Sequence, residues 1–130
     1  MKIITVGGVK GRHELPVEKY LITDTVADFA TANKQAFDAM TELLRGTPRD
    51  AVIRFYPTGL STVSFGAIAA FVTFPGDDDF TGDNTSRRVL EIWEYDRDQM
   101  DYVHTTTFEH GAEMADSSVK AYGKCIAHSV

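Results

Sequence analysis

Hydrophobic positions along the chain come in short runs separated by glycine, proline and charged residues, and the spacing within the runs changes twice. Lys2 to Val6 is a compact apolar run that predicts a strand, broken by Gly7, Gly8 and Gly11. Val17 to Thr23, with Val17, Tyr20 and Ile22 among its apolar positions, predicts a second strand. The spacing then shifts to threes and fours. Phe29, Ala32, Ala36, Phe37, Met40, Leu43 and Leu44 fall on one helical stripe, with Lys34 and Asp38 four apart on the polar side. Thr25 reads as the N-cap of this helix, with Asp28 in the capping-box position, and Gly46 and Pro48 stop it.

Ala51 to Tyr56 is apolar without a break at AVI and predicts a central strand. Leu60 to Phe74 fits two periods. As a helix it offers Ser61 as a cap and Gly66, Ala67, Ala69 and Ala70 for close packing. As a strand it alternates Val63, Phe65, Ala67, Ala69 and Phe71. Gly-Ala-x-Ala-Ala is poor strand material, which favours the helix. Pro75 to Arg87 is an Asp- and Gly-rich loop. Arg88 to Tyr95 and Tyr102 to Phe108 predict a hairpin around Asp96 to Asp101, with Val89, Glu91, Trp93 and Tyr95 on one face of the first arm and Leu90 and Ile92 on the other. Ala112 to His128 predicts a closing helix striped by Ala115, Val119, Tyr122 and Ile126, against which Gly123 counts. The order predicts one α+β domain over residues 1–130. Its sheet is expected to be mixed and mostly antiparallel, of about five strands, covered by two or three helices.

The totals narrow the function more than the fold. The 130 residues are 43% hydrophobic and 25% charged, enough to bury a core without a metal or disulfide staple. The formal charge of −6 disfavours direct binding to nucleic acid or to an anionic membrane. One cysteine, Cys125, excludes an intramolecular disulfide and fits a reducing compartment. The N-terminal apolar run is short for a signal peptide, and Phe65 to Val72 is less than half of the ~20 residues that span a bilayer. A cytoplasmic location is therefore expected.

Candidate chemistry is present in fragments. Asp77, Asp79, Thr81 and Gly82 match positions 1, 3, 5 and 6 of a calcium loop, but Arg88 occupies the position that needs a bidentate glutamate. His104-Thr105-Thr106 is similar to one half of the 2H phosphoesterase pattern, in which two H-x-T triplets act on a phosphodiester, with His104 and Thr106 expected on one strand face. His13, His110 and His128 are not followed by a second triplet. His104 and His110 are too far apart along one strand to share a metal, and Glu109, His110 and Glu113 would cluster only on a helix. Cys125 reads as a structural thiol, and Ser61 and Ser64 lack a nucleophile elbow. Gly7 to Arg12 is glycine-rich and cationic but matches no phosphate-loop pattern.

Two binding readings rank ahead of a phosphoesterase-like enzyme acting through His104 and Thr106. The first is a non-catalytic protein of inhibitor or adaptor type, of the kind that phages and mobile elements encode. It would meet a protein partner through Trp93 and Tyr95 in a rim of Glu91, Glu94, Asp96, Asp98 and Asp101. The second is a binder of a small anion or nucleotide at the turn after the central strand, using Arg54, Thr58, Gly59, Ser61 and Thr62. Neither calls for a metal or cofactor. Homo-oligomerisation through segment 65–74 or an open strand edge is compatible with both.

Overall fold

The computed structural model describes residues 2–11, 14–24, 26, 28–74, 87–110 and 119–123. They form one α+β domain, a six-stranded mixed sheet carrying two helices. Strands β1 (Ile3–Val9), β2 (Lys19–Ile22), β3 (Val52–Tyr56), β4 (Val89–Asp96), β5 (Asp101–His110) and β6 (Val119–Gly123) lie in the order β2-β1-β3-β4-β5-β6. Helix α1 (Phe29–Arg45) connects β2 to β3, and α2 (Ser61–Thr73) connects β3 to β4.

The mixed sheet and the helices match the expectation, but the balance of the pairings does not. β2, β1, β3 and β4 are mutually parallel, and only β4-β5 and β5-β6 are antiparallel. Parallel neighbours need a crossover of a dozen or more residues, and helix 61–73 supplies the one that lets β4 run parallel to β3. The closing helix expected from Ala112 is replaced over Val119–Gly123 by β6, which pairs His110 with Val119 and Thr106 with Gly123. An open edge on β5 outweighs the helical stripe there. The Asp77–Gly82 loop, Glu113 and Cys125 lie outside the described residues, as do Arg12, His13 and His128.

The first strand runs through the glycines expected to end it. A Cβ on Gly7 would stand 2.8 Å from the Tyr20 ring, and one on Gly8 would stand 2.7 Å from Thr58 Oγ1. These glycines admit neighbours to the strand, so Gly7 and Gly8 belong to the sheet.

Helix α1 starts later than expected. Asp28 is its N-cap: Oδ1 accepts from Thr31 N at 2.7 Å and Oδ2 from Thr31 Oγ1 at 2.9 Å. Thr25 lies outside the described residues. Four turns of small and apolar side chains, Ala32, Ala36, Met40 and Leu44, are fully buried, whereas Phe29 is exposed. Helix α2 is capped at Leu60, with no side-chain cap bond, not at Ser61. Its small residues face α1 closely: a Cβ on Gly66 would meet Asn33 O at 2.4 Å. Asn33 Nδ2 donates to Thr62 O at 2.9 Å and Thr62 Oγ1 donates to Phe29 O at 3.2 Å, tying the helix starts together.

Both helices cover one face of the sheet. Ile4, Val6, Ile53, Phe55, Leu90 and Ile92 meet Met40, Leu44, Ala67, Ala70 and Phe71 in the main core. The alternation of strand side chains sends the intervening residues to the opposite face. No helix among the described residues covers that face, although Leu15 packs over Gly7 on it, and it holds the candidate site.

Candidate functional site: the open sheet face and its end cleft

Arg54 and Tyr56 of β3, Glu91 and Trp93 of β4, and Tyr102 and His104 of β5 project on the open face. Glu91 Oε1 accepts from Arg54 Nε at 3.0 Å and from Trp93 Nε1 at 2.9 Å. The Arg54 guanidinium carbon lies 5.1 Å from the centre of the Trp93 ring, within cation–π reach. Trp93 stacks on His104 with centroids 5.5 Å apart and lies 6.2 Å from Tyr56. Tyr56 meets Tyr102 edge-on at 5.3 Å, and Tyr102 meets Tyr95 edge-on at 5.3 Å. One continuous row of rings thus crosses three strands. Burial, opposed by the nearby Arg54 charge, pushes the Tyr56 phenol above its ordinary value. Burial raises Tyr102 too, with Tyr95 and Tyr20 adding to it. Both phenols are therefore neutral hydrogen-bond donors at neutral pH.

A β-bulge sets which residues join the row. Ile92 pairs with Thr106 but Trp93 pairs with His104, so Thr105 is the extra residue of β5. His104 and Thr106 consequently point to opposite faces, contrary to the expectation for an H-x-T triplet. Thr106 lines a groove against α2, and His104 Nε2 lies 2.6 Å from Thr107 Oγ1 instead. The likeness to half of a 2H pattern ends there. His110 also leaves this face: it is buried, stacks on Phe71 at 4.2 Å, and its Nε2–H donates to Phe71 O at 3.0 Å. Among the described residues no three His, Cys, Asp or Glu side chains converge on one point.

The acidic rim is dispersed by the same geometry. Glu91 is half-buried within the row. Glu94 turns to the helix side, where Thr105 Oγ1 donates to it and it lines the groove beside α2. Asp96 Oδ1 accepts from the backbone N–H of Asp98 and Gln99, and Asp101 Oδ1 accepts from that of Tyr102. These two carboxylates build the hairpin turn; Asp98 stands exposed on it. The turn after β3 is also structural in part. Thr58 is buried and its Oγ1 accepts from Val9 N at 3.1 Å, fastening the ends of β3 and β1. Arg54 lies on the open face and Ser61 and Thr62 on α2, so the five anion-ligand candidates do not converge.

Two clefts flank the turn after β3. One, of about 370 Å³, lies on the helix side between α2 and β4-β5, floored by Ile68, Ile92 and Phe108. The other, of about 490 Å³, lies at the carboxyl ends of the parallel strands, where Tyr95 and Tyr102 end the row of rings. Arg97 and Glu14 at that cleft escaped the sequence reading, since only the fold brings them to the same place. Tyr102 was missed as well, although its place at the start of the second hairpin arm, opposite Tyr95, was the signal that could have found it. Comparison with known proteins yields no match: no family model fits the chain, and no curated protein or solved structure resembles it closely enough to count.

Proposed function

We propose that the chain is a non-catalytic binding protein of inhibitor or adaptor type, and that its protein partner docks on the open sheet face beside the hairpin. One observation carries this reading: Tyr95, 53% exposed, ends a row in which Trp93 and Tyr102 are half-buried and Tyr56 is buried between them, with Arg54 at its head, and neither helix covers this row. Tryptophan, tyrosine and arginine are the side chains that dominate binding energy at interfaces, because each combines a large apolar area with a polar edge and little entropy to lose. The formal charge of −6 and the acidic turn, with Asp98 exposed, favour a basic partner surface and give association a salt dependence.

The test is capture of partners from the native host by the intact chain and by Tyr95→Ala, followed by titration with the purified captured protein. A partner whose affinity falls at least tenfold for Tyr95→Ala, and falls again at high salt, supports the reading. Capture that is indifferent to Tyr95→Ala overturns it.

A further inference from the structure

The cleft at the carboxyl ends of β1 and β3 has a composition that the docking surface does not explain. We infer that it binds a ribonucleoside phosphate, with the base against Tyr95 and Tyr102, the ribose hydroxyls on Glu14 and the phosphate on Arg97. This goes beyond the docking reading and does not depend on it.

The volume, about 490 Å³, is in the range of pockets that enclose small ligands. Its position at the carboxyl ends of parallel strands is where open sheets containing such strands ordinarily hold ligands, because the loops there diverge and leave a crevice. The walls then select the ligand. Tyr95 and Tyr102 meet at 73° with centroids 5.3 Å apart, forming a corner with one ring face and one ring edge. A flat heteroaromatic base stacks on the face and offers its rim to the second ring, whereas an aliphatic ligand gains nothing from the angle. Arg97 is exposed and makes no ion pair among the described residues, so its fork is available to an anion. Glu14, on the loop between β1 and β2, is likewise exposed and without an ion pair among the described residues. A carboxylate there repels a bare phosphate but accepts from two neighbouring hydroxyls, which makes a sugar diol its natural partner. Gly59, at φ 91° in the floor, lacks a Cβ and lets a ligand approach the backbone. Opposite charges and an aromatic corner in the lining of one cleft match base, sugar and phosphate in one molecule.

The experiment is amide-shift mapping and titration with AMP, GMP, CMP and UMP, with adenosine, 2′-deoxyadenosine monophosphate and inorganic phosphate as separate arms. The expected result is saturable binding of at least one ribonucleotide, with shifts centred on Gly59, Tyr95 and Tyr102. Tyr95→Ala should weaken it at least fivefold, the low end of what loss of a stacking ring costs a base. Arg97→Ala should weaken the nucleotide about tenfold and leave adenosine unchanged. Glu14→Gln should narrow the preference for the ribose over the deoxyribose form. No shift with any of the four nucleotides at roughly 5 mM, beyond the range of specific ligands, overturns the inference. So does binding that survives both Tyr95→Ala and Arg97→Ala, or a site that inorganic phosphate alone saturates equally well. Partner capture that is lost in Tyr95→Ala while no nucleotide binds the intact chain leaves the docking reading standing and removes this one.

Discussion

Single side chains in this molecule are held by identifiable partners, and the partners say how each will respond to change. Arg88 is 1% exposed, donates from Nε to Thr47 Oγ1 at 2.9 Å and from Nη2 to Thr47 O at 2.7 Å, and lies over the Phe74 ring. In sequence it stood as the residue that spoils a calcium loop and as the start of a strand, and not as a core residue, because burial of an arginine has no local signature. A lysine supplies one compact charge and cannot reproduce the fork. Arg88→Lys should therefore cost about 1.5–3 kcal/mol, the worth of hydrogen bonds to a charged group, read as a lowered urea midpoint. Asp28 gives a pH dependence. Its bonds to the Thr31 backbone and hydroxyl hold the carboxyl below the ordinary value of 3.8. A depressed carboxyl stabilises the fold above its unfolded pKa, and that contribution disappears as the pH falls through the lower folded value. Asp28→Asn keeps an acceptor for the cap but loses this dependence. The fall in melting temperature from pH 7 to pH 3 should be smaller in the variant than in the native chain. Tyr56 and Tyr102 act at the other end of the scale. Their raised phenols resist ionisation only while folded, so the stability they contribute is intact below pH 10 and lost above it. Absorbance titration of the phenolates should show ionisation above pH 10 that is lost from the Tyr56→Phe, Tyr102→Phe double variant.

Elements were legible where one period dominated. The stripe of α1, the unbroken AVI of β3 and the alternation of β4 each placed an element correctly, since burial on one face leaves a mark at a fixed spacing. Elsewhere a contact distant in sequence decided. β1 continues through Gly7 and Gly8 because Tyr20 and Thr58 occupy the space of their missing side chains. The tail strand exists because β5 offers it an edge. The bulge at Thr105, which parts His104 from Thr106, adds one residue to a ladder whose partner strand must be known first. Two of the buried glycines, Gly66 and Gly7, separate two kinds of tightness. In Gly66→Ala the added methyl meets the Asn33 backbone, which can yield only by moving α1. The gain in helix propensity, up to about 1 kcal/mol, is smaller than the overpacking, and the net cost should be about 1–3 kcal/mol. In Gly7→Ala the methyl meets side-chain atoms of Tyr20 and Leu15, which can rotate. That variant should unfold at a higher urea concentration than Gly66→Ala, and the reverse order would show that the helix pair is the more yielding contact.

At the scale of the whole molecule the two sheet faces divide the work. The covered face stacks Phe55, Ile53, Leu90 and Phe71 into a core with no exposed surface. The open face carries rings and charges that a core would not need, and Tyr95 at its end is half in water. Much of this division was readable from strand alternation, which placed Trp93 and Tyr95 on the face opposite Leu90 and Ile92. The cleft was not, since Glu14, Gly59 and Arg97 come from three separate loops and turns. Paired truncations measure the division directly. Phe71→Ala opens a cavity against α1 and β5 and should cost about 3–5 kcal/mol. Tyr95→Ala removes a ring that touches Tyr102 but fills no enclosed space, and should stay within about 0.5 kcal/mol of the native chain. If the aromatic row exists to bind, Tyr95→Ala must weaken partner or nucleotide while leaving the urea midpoint in place. If the row exists to hold the hairpin down, the two truncations will resemble one another in stability. A loss above about 2 kcal/mol for Tyr95→Ala is far outside the range of surface substitutions, and it would assign the open face to folding rather than to recognition.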